Sequence, residues 1–170
     1  MKYAKTNNVK QPKGNRTEDS GIDFFIPEDW NNGKPMFLRL GDQVNIPLDI
    51  KTRFKPTQSL IFLNKSGVAL KKGLICGAQV IDFSYTGVIH ANMFKVVKGI
   101  DDIKIRKRGI LGLLGFKEYV TAITPGDKIV QGVLFNISTE SLTEIPNTLY
   151  EKNYKTKRGA KGFGEGTGTK

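Results

Sequence analysis

Short apolar runs, broken at close intervals by turn residues, constrain this chain more than any other feature. Residues 22–26, 36–40, 43–50, 59–63, 87–97 and 128–137 are rich in Val, Ile, Phe and Leu, often in alternation. Pro27-Glu-Asp, Asn31-Asn-Gly, Leu40-Gly-Asp, Lys55-Pro and Thr124-Pro-Gly-Asp separate them. Alternation buries one face of a strand, and each turn reverses it onto its neighbour. The pattern predicts an all-β antiparallel barrel or sandwich. Only 68–74 and parts of 98–120 read as helical. With 170 residues the chain is one domain by length, large enough for a core. Apolar periodicity fades after 150, so 1–150 reads as the domain and 151–170 as a Gly-rich arm ordered only by contact.

That arm ends Arg158-Gly-Ala-Lys-Gly-Phe-Gly-Glu-Gly-Thr-Gly-Thr-Lys170. Glycines at 159, 162, 164, 166 and 168 make a poor helix or strand. Their bare N–H groups can close round an anion, and Phe163 adds a flat apolar face. Such a pairing suggests a nucleotide; a solvated basic tail is the ordinary alternative. Net charge is +11, gathered at 2–16, at 104–108 and at 152–161. This favours a polyanionic partner. No apolar run approaches the ~20 residues of a membrane span. The lone Cys76 forms no internal disulfide, and no leader pattern opens the chain. The cytoplasm is the expected location.

P-loop, dinucleotide-binding and G-x-S-x-G patterns are absent, and one His with one Cys excludes the usual zinc sites. Carboxylates, small residues and turns remain. Val80-Ile-Asp-Phe-Ser-Tyr-Thr-Gly87 sets Asp82 before a turn with Tyr85 three residues on. That suits a general base beside an aromatic plate, or a capping Asp with a core Tyr. Asn64-Lys-Ser-Gly-Val-Ala69 suits phosphate, or an ordinary Ser cap. Glu18-Asp-Ser-Gly-Ile-Asp23 is an acidic turn that makes sense beside an anion if a Mg²⁺ lies between.

In order, Asp19-Ser-Gly-Ile-Asp-Phe24, Asn64-Lys-Ser-Gly-Val-Ala69, Val80-Ile-Asp-x-x-Tyr-x-Gly87, Gly126-Asp-Lys-Ile-Val-Gln131 and Arg158-Gly-x-x-Gly-Phe-Gly164 resemble the five motifs of the trimeric deoxyuridine triphosphate pyrophosphatases (dUTPases). The resemblance implies a β jelly roll, or distorted β-barrel, in a homotrimer with C-terminal arm exchange. Each site would take its first, second and fourth motifs from one chain, its third from another and its fifth from the third. It implies hydrolysis of dUTP to dUMP and pyrophosphate with Mg²⁺. Asp82 would activate the water that attacks the α-phosphorus. Tyr85 would pack on deoxyribose and exclude a 2′-OH. Val80, Ile81 and His90 would read uracil. Lys65, Ser66, Gly67 and Gln131 would hold phosphates. Asp23 would meet Mg²⁺ through water, Arg158 the γ-phosphate, and Phe163 with Gly164 the uracil.

Four departures from the family pattern stand out. Lys65 replaces the usual Arg and loses its bidentate fork. Cys76 replaces a uracil-reading Asn, with Gln79 the expected substitute. Glu165 lengthens the last motif, where Thr167 would supply the missing hydroxyl. Finally, about 99–118 is an insert of the kind some phage dUTPases carry. The stretch 99–116 reads as a surface for a regulatory protein, or as an elaborated hairpin packed on its own trimer. No membrane is expected as a partner, and nucleic acid is not required. Two other functions fit the fold: a dCTP deaminase or bifunctional relative, and a catalytically silent nucleotide-sensing regulator. The deaminases carry a Glu where this chain has Asn92.

Overall fold

A computed structural model describes residues 1–14, 18–138 and 140–156. The chain divides into a compact unit, Met1–Ser138, and a second unit, Thr139–Lys170. In the second, the described structure is one helical segment at Asn147–Asn153, with the Tyr150 and Tyr154 rings 5.1 Å apart.

The compact unit is the expected all-β jelly roll. Its strands are β1 (Lys2–Lys5), β2 (Ile22–Phe25), β3 (Met36–Arg39), β4 (Gln43–Pro47), β5 (Ile50–Arg53), β6 (Gln58–Leu63), β7 (Leu74–Cys76), β8 (Val80–Ile81), β9 (His90–Lys95), β10 (Ile103–Arg106), β11 (Lys117–Ile123) and β12 (Lys128–Asn136). They form antiparallel sheets in the orders β2-β12-β6-β8, β4-β9-β7, β10-β11-β3 and β1-β5. The core collects the inward positions of these strands: Phe24, Ile26, Ile46, Leu48, Leu60, Phe62, Leu74, Ala91, Met93, Ile129 and Val130 are buried. Phe24 meets Phe62 edge-on, with ring centroids 5.2 Å apart. Each such side chain contributes about 1.5–3 kcal/mol on burial.

Two helices interrupt the strands, α1 (Ser66–Lys72) and α2 (Gly109–Leu113). The predicted helix at 68–74 is thus displaced towards the N-terminus. Gly73, at φ +60°, ends it by donating its N–H to the Ala69 carbonyl. Leu74 is then free to enter β7 and bury completely. The predicted strand 43–50 divides at Asp49, whose φ of +51° turns the chain into β5.

The insert forms β10, α2 and the start of β11, a hairpin extending the sheet of β3. Its root is fixed by a buried ion pair. Lys95 Nζ sits 2.8 and 2.7 Å from the two carboxylate oxygens of Asp102 and 2.7 Å from the Lys72 carbonyl. Both side chains are at most 1% exposed.

Candidate active site

Register across the central sheet sets the first half of the site. Gln131 of β12 lies opposite Asp23 of β2 on one side and Leu63 of β6 on the other. Just beyond Leu63, Asn64 and Lys65 lead into α1. Asp23, Lys65 and Gln131 therefore share a cleft of about 310 Å³ with Asp19, Ser20, Gly21, Leu63 and Val133. A Cβ at Gly21 would stand 2.8 Å from Gln131 Oε1, so a side chain there would have to displace the end of Gln131. Gln131 Nε2 donates to the Asn64 carbonyl at 3.0 Å, which aligns it along the cleft.

Asp23 is buried, yet ionised. Lys65 Nζ lies 2.9 Å from Oδ1 and Lys128 Nζ 2.8 Å from Oδ2. Burial alone raises this carboxyl; hydrogen bonds and charge from Lys128 and Lys65 outweigh it and hold the group below its ordinary value. Lys65 lines the cleft, whereas Lys128 reaches Asp23 from a neighbouring hollow shared with Lys10, Lys13 and Phe25. Ser66 and Gly67 open α1 beside Lys65, and a Cβ added at Gly67 would meet nothing within 4 Å.

The second half lies elsewhere. Asp82 and Tyr85 occupy the loop after β8, closed by a hydrogen bond from the Tyr85 N–H to the Asp82 carbonyl at 3.1 Å. Both side chains are exposed. Tyr85 Oη donates to the Val88 carbonyl at 2.9 Å, and its ring lies over Gly87, where a Cβ would stand 2.6 Å from Cζ. The ring is thus held as a fixed plate. His90 opens β9, with Nδ1 2.9 Å from Asn45 Nδ2. Gln79 folds back to donate to the Cys76 carbonyl at 3.2 Å. Val80 is exposed and Ile81 buried in β8, the outermost strand of its sheet.

Pairing shows how far apart these halves are. Ile81 faces Leu60 and Val80 faces Ile61, so Asp82 lies level with Ser59, at the opposite end of β6 from Lys65. About 3.3 Å per residue puts Asp82 roughly 15 Å from the cleft. One chain brings Asp23, Lys65, Ser66, Gly67 and Gln131 together and leaves Asp82, Tyr85 and His90 apart from them. Arg158, Phe163, Gly164 and Thr167 lie outside the described residues. Sequence reasoning missed Lys128 and Asn64, although both stand inside quoted motifs. Asn64 Oδ1 accepts the Cys76 N–H at 2.7 Å.

Among the described residues, no three His, Cys, Asp or Glu side chains gather to cage a metal. The cleft does hold the carboxylates of Asp19 and Asp23. That fits Mg²⁺, which keeps several waters and is held by one or two carboxylates plus phosphates.

No family model matches the chain. It is 27% identical over 160 residues to the deoxyuridine 5′-triphosphate nucleotidohydrolase of Yarrowia lipolytica, covering 92% of this chain and 82% of that enzyme. It is also 27% identical over 154 residues to a segment of the equine infectious anemia virus Pol polyprotein, spanning 91% of this chain and 11% of the polyprotein. The dUTPase of Staphylococcus bacteriophage 80alpha, solved as a mutant with dUpNHpp, superposes with TM-score 0.74 at 21% identity over 97% of this chain and 96% of its own. The phage phi11 dUTPase of S. aureus, described with its species-specific insert, gives 0.65 at 20% identity over 85% and 94%. The chain is thus similar along nearly its whole length to a deoxyuridine triphosphate nucleotidohydrolase, and it has the fold of the phage dUTPases.

Proposed function

We propose that the protein hydrolyses dUTP to dUMP and pyrophosphate at sites shared between copies of the chain, as a homotrimer. The observation that carries this reading is the separation of Asp82 from the Asp23–Lys65–Gln131 cleft by the length of β6. The cleft has the charge and donors for a triphosphate, and its carboxylates, Asp19 and Asp23, are the pair that would face a metal. Asp82 and Tyr85 supply a base and a sugar platform, with the Arg53 guanidinium beside them on the Phe83 carbonyl at 3.2 Å. A second copy supplies what each half lacks, and the arm at 151–170 of a third closes over both.

In this arrangement Lys65 and Gln131 hold phosphate oxygens, with the N–H groups and hydroxyl of Ser66 and Gly67. Lys65 is placed to exchange Asp23 for phosphate, while Lys128 stays behind as the counter-ion of Asp23. Asp82 takes a proton from the water that attacks the α-phosphorus. Tyr85, fixed by Gly87 and Val88, leaves no room for a 2′-OH. Arg158 meets the γ-phosphate and Phe163 covers uracil. Asp23 and Asp19 would hold Mg²⁺ through water, and Mg²⁺ supplies charge neutralisation across the three phosphates. Positioning and charge carry most of the rate in such a displacement.

The test incubates the protein and Asp82→Asn with Mg²⁺ and dUTP, dCTP, dTTP or UTP, measuring pyrophosphate and ammonia. Pyrophosphate from dUTP alone, reduced about 10²–10⁴-fold in the variant, is expected. Ammonia from dCTP, or no product from any of the four, refutes the assignment.

A further inference from the structure

The hairpin tip formed by the insert is apolar and uncovered. Ile110 is 73% exposed, Leu113 81%, Leu114 68% and Phe116 55%. Their outward presentation is built into the backbone. Gly109 and Gly115, at φ +68° and +82°, turn the chain into and out of α2. Gly112 packs directly on the Lys107 carbonyl, where no side chain fits. The inner face of α2 is thus spent on the hairpin, and its large side chains point away.

Below the tip lies a collar of like charge. Lys104, Arg106, Lys107, Arg108 and Lys117 flank it, and no Asp or Glu occurs from 103 to 117. Glu118, the nearest acid beyond, is engaged by Arg39 at 2.8 Å. An exposed cluster of this kind marks an interaction surface. Its composition selects among partners. Nucleic acid binds by stacking on aromatic side chains, and the tip is mostly aliphatic. Protein hot spots favour Trp, Tyr and Arg and under-use Leu. Aliphatic side chains at an apex, with Lys and Arg at the level beneath, match segments that rest in the headgroup boundary of a bilayer. We propose that the insert tip docks this protein on an anionic lipid surface, the apolar side chains of 110–116 entering the interface and the collar pairing with lipid phosphates. This departs from the sequence expectation that a membrane is not a partner. Among the described residues no helix is long and apolar enough to cross a membrane, and docking upon one needs no such helix.

Co-sedimentation of the full-length protein with vesicles tests the proposal. One set is neutral phosphatidylcholine; the other contains about a third phosphatidylglycerol. The wild type is expected to bind the anionic set at least about tenfold more strongly. Arg106→Gln/Lys107→Gln/Arg108→Gln should lose about a hundredfold, from three cations near the surface. Leu113→Glu/Leu114→Glu should lose binding with the collar intact, and gel filtration should show it eluting as the wild type does. The proposal is overturned if the wild type ignores anionic vesicles, or if the Leu variant binds them as well as wild type. It is also overturned if the Leu variant changes oligomeric size, which would make the tip a subunit contact. Retention of an oligonucleotide in place of vesicles, lost only in the charge variant, would assign the collar to nucleic acid instead.

Discussion

Asp82→Asn and Lys65→Met should each inactivate the protein alone and restore it when mixed. The first removes the base and leaves the phosphate cleft intact. The second removes a phosphate cation and leaves Asp82 intact. Losses of about 10²–10⁴-fold and 10²–10³-fold are expected for the separate variants. The register of β6 with β8 puts the two positions at opposite ends of a strand, about 20 Å apart, and the proposed arrangement assigns them to different sites. Let equal amounts be unfolded, mixed and refolded, so that trimers form at random. A working site then needs its cleft from an Asp82→Asn chain, with chance one half. It needs its base from a neighbouring Lys65→Met chain, also one half. About a quarter of all sites are competent, and dUTP hydrolysis should return to roughly a quarter of the wild-type level. The assay is pyrophosphate release before and after mixing, with a Lys65→Met/Asp82→Asn double variant mixed with itself as control. Recovery no greater than the sum of the separate variants would mean that one chain holds both halves, and the split-site reasoning would fail.

Asp102→Ala should destabilise the protein by about 3–5 kcal/mol, because it strands the buried Lys95 ammonium on one neutral carbonyl. Urea unfolding at fixed protein concentration measures it, and a change under ~1 kcal/mol would show that Lys95 finds water or another partner. Lys128→Met should cost about 1–3 kcal/mol at pH 7 by removing a charged partner of Asp23. The Asp23 carboxyl is held below its unfolded value, so its stabilisation is present above the unfolded value and lost as pH falls through the folded one. The Lys128→Met penalty should therefore shrink in acid, and an equal penalty at pH 7 and at about pH 2 would refute the linkage. Gly87→Ala places a methyl in the Tyr85 ring and should displace it. UTP should then be hydrolysed more readily relative to dUTP; an unchanged ratio would mean that the ring does not exclude the 2′-OH.

What the sequence made legible followed from burial. β2, β6 and β12 carry alternating or continuous apolar runs because they cross the core, and the pattern locates each. Lys2–Lys5 and Ile103–Arg106 have almost no buried side chain. They are strands only because Lys2–Lys5 pairs with β5 and Ile103–Arg106 with β11, a fact of register that no local pattern carries. The cleft behaves similarly. Asp23, Lys65 and Gln131 stand in recognisable motifs and line one cleft. The contact of Lys128 with Asp23 accompanies a break in register between Lys128 and Val130, which bends β12. A one-residue irregularity leaves no compositional trace.

Cys76 shows how the proposed uracil site tolerates an unusual residue. Its side chain faces the core, 4% exposed, and burial pushes the thiol up, so it stays neutral. It has no route to a base. Its peptide groups are fully engaged, the N–H by Asn64 Oδ1 and the carbonyl by Gln79 Nε2. The next residue, Gly77, donates to the Asn92 carbonyl at 2.8 Å, and a Cβ there would stand 2.8 Å from Asn92 Oδ1. Gln79 thus helps to shape the loop through its bond to the Cys76 carbonyl. What the loop delivers is β8 at the rim of its sheet, hydrogen-bonded to β6 on one side only. An edge strand offers alternating N–H and C=O groups. Uracil presents an N–H donor beside a carbonyl acceptor, and cytosine reverses both roles. In the proposed site the peptide groups of Val80 would make that distinction without any side chain, the Ile81 carbonyl being engaged by Ser59 Oγ at 3.1 Å. A selector built from backbone survives a side-chain change that leaves the loop in place, and Cys76, packed inward, leaves it in place.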